Sequence, residues 1–294
     1  MRRRALLSLS ALALGGCVAP SSGEIGVSTA TSDCPPVGDR IVCVPETDPG
    51  GEPVALTTDS RSVSPPATMT LTLENGAGER LSTNFYAWKL WKRVAGEWVW
   101  IVPDIWVQPL MVLDSGEHHT WALTAEHDLP ANPGRYYDAW QSEGTVGGLG
   151  GGEYAFATDG FLGESDARML GFAARFSVDA PDLTLDPTAR VTDASRDDDV
   201  VTVRGEGIGE DAQRPEFVLR RVGDADDPQR VLPEQAAHDY RLRNTLSYFE
   251  DGVERVRYVE QNHAISPAFG AGEPYTICYR GELYEASAKE LGAA

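Results

Sequence analysis

An aromatic stretch from Asn84 to Pro103 restricts the possible folds of this 294-residue chain more than any other part of the sequence. The stretch contains four of the seven tryptophans, and its large side chains alternate with the period of two that is typical of half-buried β-strands. Gly96 lies near its middle and tolerates the positive φ that tight hairpin turns require. These features predict a β-hairpin that supplies the core of a β-sandwich domain.

The register of this hairpin depends on the length of its loop. A three-residue loop from Val94 to Gly96 pairs Arg93 with Glu97, whereas a two-residue or four-residue loop pairs Arg93 with Trp98. A shift of one residue turns every side chain of a strand to the opposite face, so the loop length decides whether the large aromatic residues face the core. We expect the three-residue loop, because it places Trp88, Trp98 and Trp100 inside.

The expected register divides the hairpin into a core face and an outer face. The core face holds three tryptophans: Trp88, Trp98 and Trp100. The outer face holds Trp91, Val99 and Ile101, an apolar surface of the kind that monomeric proteins rarely leave bare. We therefore expect these three residues to form an interaction surface, and Trp91 to be covered by the C-terminal domain or by a partner.

Residues 1–16 have the pattern of an export signal. Three arginines precede an apolar stretch from Ala5 to Leu14 that is too short to span a bilayer. The run Leu14-Gly-Gly-Cys17 resembles a lipoprotein box, which implies cleavage before Cys17 and lipid attachment to its sulfur; a plain buried cysteine is the alternative. The Arg-Arg-x-x-Leu pattern at the start is similar to a twin-arginine export signal. We expect an extracytoplasmic protein that Cys17 anchors to the outer face of the cytoplasmic membrane.

The charged residues disfavour nucleic acid as a partner and favour a salty environment. The formal net charge is -20, from 45 acidic and 25 basic residues, so the phosphate backbone of a nucleic acid would be repelled. Lys89, Lys92 and Lys289 are the only lysines. An acidic, lysine-poor surface resembles that of salt-adapted archaeal (haloarchaeal-type) proteins, in which screening makes self-repulsion tolerable. A GC-rich genome would explain the arginine excess but not the acid excess.

Length and composition predict two folded domains behind a tether. With 41% hydrophobic residues, a chain of 294 residues can bury two ordinary cores. We expect a lipid-anchored flexible tether at residues 17–52, a β-sandwich at 53–180, and a smaller mainly-β or α+β domain at 181–294. Within the tether, Cys34 and Cys43 are close enough to form a small disulfide loop outside the cell. Cys278 is then expected to be a small buried residue.

Short alternating strands, turn signals between them and no long helix pattern predict an antiparallel β-sandwich. Five motifs follow one another: a strand that ends in Asn75, then Tyr86-x-Trp-x-Leu90, Gly96-Glu-Trp98, Leu113-x-x-Gly-Glu-x-x-x-Trp121 and Gly152-x-Tyr-x-Phe156. This order resembles the bacterial and archaeal immunoglobulin-like domains of cell-surface lipoproteins, and its layout is similar to that of a small proteinase-inhibitor family. The resemblance rests on core and turn positions, so it implies a fold and not a function.

The C-terminal part of the sequence predicts short strands and one helix. Candidate strands lie at Asp199–Arg204, Glu216–Val222, Val253–Val259, Tyr275–Tyr279 and Leu283–Ala286. Between them, residues 228–240 have the best helical pattern, and Pro233 restricts the helix to starting at that residue.

No pattern in the sequence specifies a catalytic, cofactor-binding or metal-binding residue. Gly147–Gly152 lacks the helix and the lysine of a phosphate loop, and we expect it to lead into an edge strand. Gly205–Gly209 has the wrong spacing for a dinucleotide motif. The five histidines lack zinc-site spacing, and the acidic runs Asp197–Asp199 and Asp224–Asp227 lack the alternating ligands of a calcium loop. We therefore expect no cofactor and no metal.

These observations favour a non-enzymatic, lipid-anchored surface protein with an interaction or envelope-structural role. We expect its partners to be the membrane, through the lipid, and a protein at the cell surface, and the sequence leaves the oligomeric state open. Three alternatives remain: a module that binds a small ligand or sugar through exposed Trp and Tyr side chains, a proteinase-inhibitor-like domain, and a hydrolase in the C-terminal domain.

Overall fold

The computed structural model describes residues 33–43, 53–103, 108–131, 133, 142–163, 169–206, 215–260 and 273–289. Strands contain 53% of these residues and helices 6%, so the prediction of a mainly-β fold is confirmed. Two sheets build a sandwich from residues 40–178, and a third sheet is built from residues 191–289. The predicted signal peptide and Cys17 lie outside the described residues.

The sandwich is formed by twelve short strands among the described residues. They are β1 Arg40–Cys43, β2 Val54–Thr58, β3 Ser62–Val63, β4 Ala67–Asn75, β5 Leu81–Thr83, β6 Lys89–Val94, β7 Glu97–Val102, β8 Met111–Leu113, β9 His118–Ala125, β10 Glu143–Val146, β11 Gly152–Leu162 and β12 Leu170–Val178. The larger sheet has the order β1-β12-β11-β5-β8, with β3 beside β12 and the β6–β7 hairpin beside β11, and the smaller sheet has the order β10-β9-β4-β2.

The two sheets enclose one hydrophobic core. Alternation along β4 places Met69, Leu71 and Leu73 inward, in the same core as Phe156 and Phe172 of the larger sheet, and none of these side chains is more than 1% exposed. The β-sandwich prediction is confirmed. Three short strands depart from the expected antiparallel pairing, because β1 and β3 join β12 in parallel and β10 joins β9 in parallel.

The C-terminal part of the described chain contains seven strands and two short helices. They are β13 Val191–Asp197, β14 Val200–Gly205, β15 Glu216–Val222, β16 Gln229–Val231, α1 Pro233–His238, α2 Tyr240–Leu246, β17 Arg255–Val259, β18 Tyr275–Tyr279 and β19 Glu282–Lys289. The strands form one sheet with the order β13-β14-β17-β15-β19-β18-β16. The helices cover one face of this sheet, where Ala236 and Leu242 share a second core with Leu219 and Val256.

The helix prediction is partly correct. Helix α1 begins at Pro233 as expected, but it ends at His238, and a second helix follows that the sequence did not predict. Asp239 has an extended backbone that terminates α1, and its carboxylate accepts hydrogen bonds from the N–H groups of Arg241 and Leu242. One aspartate therefore stops the first helix and caps the second.

The expected three-residue loop of the aromatic hairpin is wrong. The structure pairs Val94 with Glu97 and Arg93 with Trp98, which leaves a two-residue turn of Ala95 and Gly96. Their φ values are 53° and 87°, as a type I′ turn requires, and the backbone of this turn follows the right-handed twist of the flanking strands. Alanine has no preference for positive φ, so the residue gave no sign of this turn.

The two-residue turn moves two tryptophans out of the predicted core. Trp98 and Trp100 lie on the outer face beside Trp91, and all three are half-buried. Trp88 is 3% exposed and belongs to the core, as expected. The hairpin therefore contributes one tryptophan to the core and three to the outer face.

The interaction surface predicted from Trp91, Val99 and Ile101 is also wrong. Val99 lies opposite Lys92 and packs against the core. Ile101 is the extra residue of a β-bulge and is 4% exposed in the same core. Only Trp91 remains on the outer face.

Residues 33–43, which we call the cap segment, cover Trp91. The segment is closed by a disulfide between Cys34 and Cys43, and both cysteines share a small apolar cluster with Trp91. Its carboxylate Asp33 lies 3.8 Å from the guanidinium of Arg93. Residues within the predicted tether, and not the C-terminal domain, therefore lie against Trp91; cover by a partner stays a prediction.

The turn geometry predicts that Ala95→Asn stabilises the protein. Asparagine tolerates positive φ better than alanine, so we expect a gain on the order of 0.5–1 kcal/mol in the free energy of unfolding, measured by urea denaturation. Gly96→Ala is the matched change in the opposite direction: no atom lies within 4 Å of an added Cβ, so its expected loss of about 1 kcal/mol is purely conformational. A loss from Ala95→Asn together with a neutral Gly96→Ala would contradict the two-residue turn.

Candidate functional site

The sandwich and the C-terminal domain meet at the glycine-rich segment before β11, which we call the junction. A Cβ atom at Gly148 would lie 3.1 Å from the Cβ of Ala237, and one at Gly150 would lie 2.8 Å from Oε1 of Glu234. Glycines therefore allow helix α1 to approach the backbone of the sandwich. The segment does not lead into an edge strand as expected, because β11 has β12 on one side and β5 and β6 on the other.

A buried carboxylate from α1 is the centre of the junction. Glu234 is 2% exposed, and its Oε1 accepts hydrogen bonds from Lys92 Nζ at 2.5 Å and from Gly150 N at 3.2 Å. The Tyr154 hydroxyl lies 3.2 Å from the same oxygen and 2.7 Å from the carbonyl of Gly150, and it shares its single proton between these two acceptors. Burial, and then the Glu234 carboxylate, raise the pKa of Tyr154 well above its usual value, so the hydroxyl stays protonated and donates. The charge of Glu234 is thus balanced by donors that all belong to the sandwich.

Two further side chains of the C-terminal domain bind the backbone of the sandwich. Gln235 accepts a hydrogen bond from Leu232 N, which caps α1, and donates one to the carbonyl of Trp100 at 2.8 Å. Arg243 is 5% exposed and donates to the carbonyl of Pro130 at 2.6 Å. Leu232 also belongs to the core of the sandwich. The two domains are therefore joined by buried polar and apolar contacts together.

His238, at the end of α1, faces the same junction. Desolvation lowers its pKa to about 4, an effect that a hydrogen bond to the backbone of Gly147 opposes and the nearby Arg243 guanidinium reinforces. The imidazole is therefore neutral at neutral pH. Below about pH 6 the unfolded chain takes up a proton that the folded chain resists, so this residue weakens the fold as the pH falls toward 4.

The face of the C-terminal sheet that lies opposite the helices forms an open groove of about 760 Å³. Its lining is polar with a few small apolar residues, and it comes from five strands: Asp197, Val200, Thr202, Glu216, Val218, Arg220, Arg255, Arg257, Glu285 and Ser287. Two ion pairs cross it. Arg220 lies 3.0 Å from Glu285, and Arg257 forms a two-point contact with Glu216. We call this feature the groove.

The sequence patterns indicated neither the groove nor the contact of Glu234 with Lys92 at the junction. The alternation of β15 and β17 is visible in the sequence, and it implies that Glu216, Arg220, Arg255 and Arg257 share a polar face. The ion pairs themselves join residues that are 41 and 65 positions apart. They depend on the strand order of the sheet, which local patterns do not reveal.

The residues weighed as metal ligands do not come together. Within the described ranges, no group of three or more His, Cys, Asp or Glu side chains is placed to hold a metal ion. His119 stacks on Phe85 at 3.7 Å between ring centroids and meets Trp121 edge-on. Burial, and then the neighbouring His118, lower the pKa of His119, so it is a packed neutral side chain.

The remaining predictions concern the cysteines and membrane-spanning helices. Cys278 is 4% exposed, as expected of a small buried residue. Cys17, the predicted lipid attachment site, lies outside the described residues. In the part of the chain that the structure describes, no helix is long and apolar enough to cross a bilayer.

The buried charges predict strong coupling between Lys92 and Glu234. Lys92→Met should lower the free energy of unfolding by about 3 kcal/mol, because Glu234 would keep a buried charge without its cation. Glu234→Gln in the same chain should recover part of the loss, with a coupling energy of roughly 1–3 kcal/mol in a double-mutant cycle measured by denaturant unfolding. Lys89→Met is the control on the same strand: its ion pair with Asp159 is more exposed, so its loss should be about 1 kcal/mol or less. Simple additivity of the two junction changes would contradict this account.

Comparison with known proteins provides no relative from which a role could be transferred. No protein-family model matches the chain, and no curated protein matches it.

Proposed function

We propose that this chain is a lipid-anchored, extracytoplasmic, non-enzymatic protein that presents the groove of its C-terminal domain to a partner at the cell surface. The groove is the observation that carries the proposal. A sheet with helices on one face normally leaves the other face either covered or evenly solvated, and here that face is a wide recess crossed by two ion pairs.

The junction supports a presenting role. Glu234 is bound by donors of the sandwich, so the groove is held at a fixed position relative to the domain that carries the N-terminal tether. In the proposal, residues 17–32 link the lipid on Cys17 to the cap segment, and their Ser, Thr, Gly and Ala composition suits a flexible spacer. Twin-arginine export of the folded chain and the immunoglobulin-like class of the sandwich belong to the same proposal.

The acid excess supports a place in a salty medium. A formal charge of -20 produces self-repulsion that is screened over about 3 Å at 1 M salt and over about 10 Å at 0.1 M. Ion pairs at contact distance, such as Arg220 with Glu285, are less affected by screening than these longer-range repulsions. We therefore propose a salt-adapted, haloarchaeal-type surface protein.

Sugar binding through tryptophans is the second candidate. The observed register of the hairpin supports it better than the predicted register did. Trp98 and Trp100 lie on the outer face with Trp91. Their indole nitrogens are inaccessible to solvent, however, and the three rings are half-buried, so the face lacks the bare aromatic platform on which sugars stack. The groove is an open recess, and it is preferred for that reason.

The anchor is tested by Cys17→Ser, which removes the sulfur that would carry the lipid. We expect the variant to appear in the medium or to remain unprocessed, whereas the wild type should partition into detergent with the membranes. Mass spectrometry of the mature N-terminus provides the decisive measurement. A sulfur that carries a lipid cannot also form a disulfide, so an unmodified Cys17 or a peptide that links Cys17 to Cys278 would contradict the anchor.

The presenting role is tested by Val218→Arg, which places a charge in the middle of the groove. Full-length wild-type protein in detergent should bind isolated cell envelopes saturably in molar NaCl, and the variant should lose at least about tenfold in affinity, or roughly 1.4 kcal/mol. Val112→Arg is the matched control, because Val112 is 42% exposed on a strand of the sandwich. Equal binding by both variants, or no binding by the wild type, would reject the proposed use of the groove.

A further inference from the structure

Among the residues that the structure describes, the groove contains one cation and one anion that form no ion pair. Arg220 and Arg257 are occupied by Glu285 and Glu216. Arg255 and Asp197 also line the groove, but among the described residues neither has an oppositely charged group within 4 Å. This arrangement is unusual in a chain with 45 acidic and only 25 basic residues, where an arginine has many possible partners.

The two unpaired charges lie in one row across the sheet. Asp197 is directly opposite Val200, and Val200 is directly opposite Arg255, in the registers of β13 with β14 and of β14 with β17. Directly opposite residues share a face, so both charged side chains project on the groove side with Val200 between them. Neighbouring strands are spaced by about 4.8 Å, which separates the two Cα atoms by roughly 10 Å.

Arg255 also has a like-charged neighbour. It lies directly opposite Arg220 in the register of β17 with β15, and like charges at such positions are destabilising. Glu285 neutralises Arg220 from the far side and leaves Arg255 unbalanced. A negative group bound at Arg255 would relieve this repulsion, and no carboxylate of the described residues does so.

We propose that the groove binds a small amino-acid zwitterion, with its carboxylate on Arg255 and its ammonium group on Asp197. Arginine suits a carboxylate because its planar guanidinium forms two parallel hydrogen bonds, and Asp197 provides the acceptors that an ammonium group needs. Val200 is the apolar floor between them. The inference rests on the proposed use of the groove as the binding surface and names the chemistry of its ligand.

The overall charge of the protein favours a net-neutral ligand. A polyanion would be repelled by the formal charge of -20, and a simple cation would be attracted to acidic groups over the whole surface. A zwitterion has no net charge, so it is selected only where a cation and an anion lie at the correct separation. The groove lining contains no aromatic side chain, which makes stacking on a neutral sugar ring a poor alternative.

Isothermal titration calorimetry of the full-length protein in detergent tests the inference. The probes are glycine, β-alanine and 4-aminobutyrate, which carry the two charges at increasing separation, with acetate and methylammonium as the single-charge halves. We expect at least one zwitterion to bind saturably and at least tenfold more tightly than either half. Arg255→Gln and Asp197→Asn should each weaken this binding at least tenfold.

Arg80→Gln is the matched control, because its side chain is 65% exposed on the sandwich; it should bind the zwitterion as the wild type does. Unchanged thermal melts of the two groove variants show that lost binding is not lost folding. No saturable binding of any zwitterion, acetate binding as tight as that of the zwitterion, or wild-type affinity in Asp197→Asn would each overturn the inference. If the protein binds envelopes but no zwitterion, the zwitterion inference is rejected and the surface role stands. If it binds a zwitterion but no envelopes, the surface role is rejected and the zwitterion inference stands.

Discussion

The burial of Glu234 against Lys92 is the contact on which the arrangement of the two domains depends. An ionised carboxylate is tolerated in a protein interior only when it is paired and hydrogen-bonded. Here the acid belongs to the C-terminal domain, and its donors belong to the sandwich. Neither domain alone contains both the carboxylate and its donors, so separation of the domains would break the ion pair and its hydrogen bonds. Gly148 and Gly150 matter because any larger residue would hold the partners apart.

Much of the fold was predictable because apolar and polar residues alternate along half-buried strands, and this alternation is visible in the sequence. The strand predicted to end at Asn75 ends there as β4, and the predicted strands Glu216–Val222 and Tyr275–Tyr279 coincide with β15 and β18. The short strands β1, β3 and β10 contain two to four residues, too few for a period to be visible. The hairpin register failed for a different reason: it depends on the backbone of Ala95, and alanine side chains reveal nothing about positive φ.

The junction and the groove were less predictable because each is assembled from distant parts of the chain. Lys92 and Glu234 are 142 positions apart, and the groove depends on β17 lying between β14 and β15. The sequence offered only the polar positions of each strand. It could not indicate which arginine would be paired, because Arg220, Arg255 and Arg257 have similar local surroundings and differ only in which strand lies next to them.

The cap segment determines how a pulling force from the N-terminal side would pass through the chain. In the proposed anchored form, with a lipid at Cys17, a pull from the membrane would reach Cys34 and would cross directly to Cys43 through the covalent bond between their sulfurs. The residues enclosed by that bond, including most of β1, are bypassed by the load. Their hydrogen bonds to β12 and their contact with Trp91 would therefore not have to resist tension, and Trp91 would remain covered under such a pull.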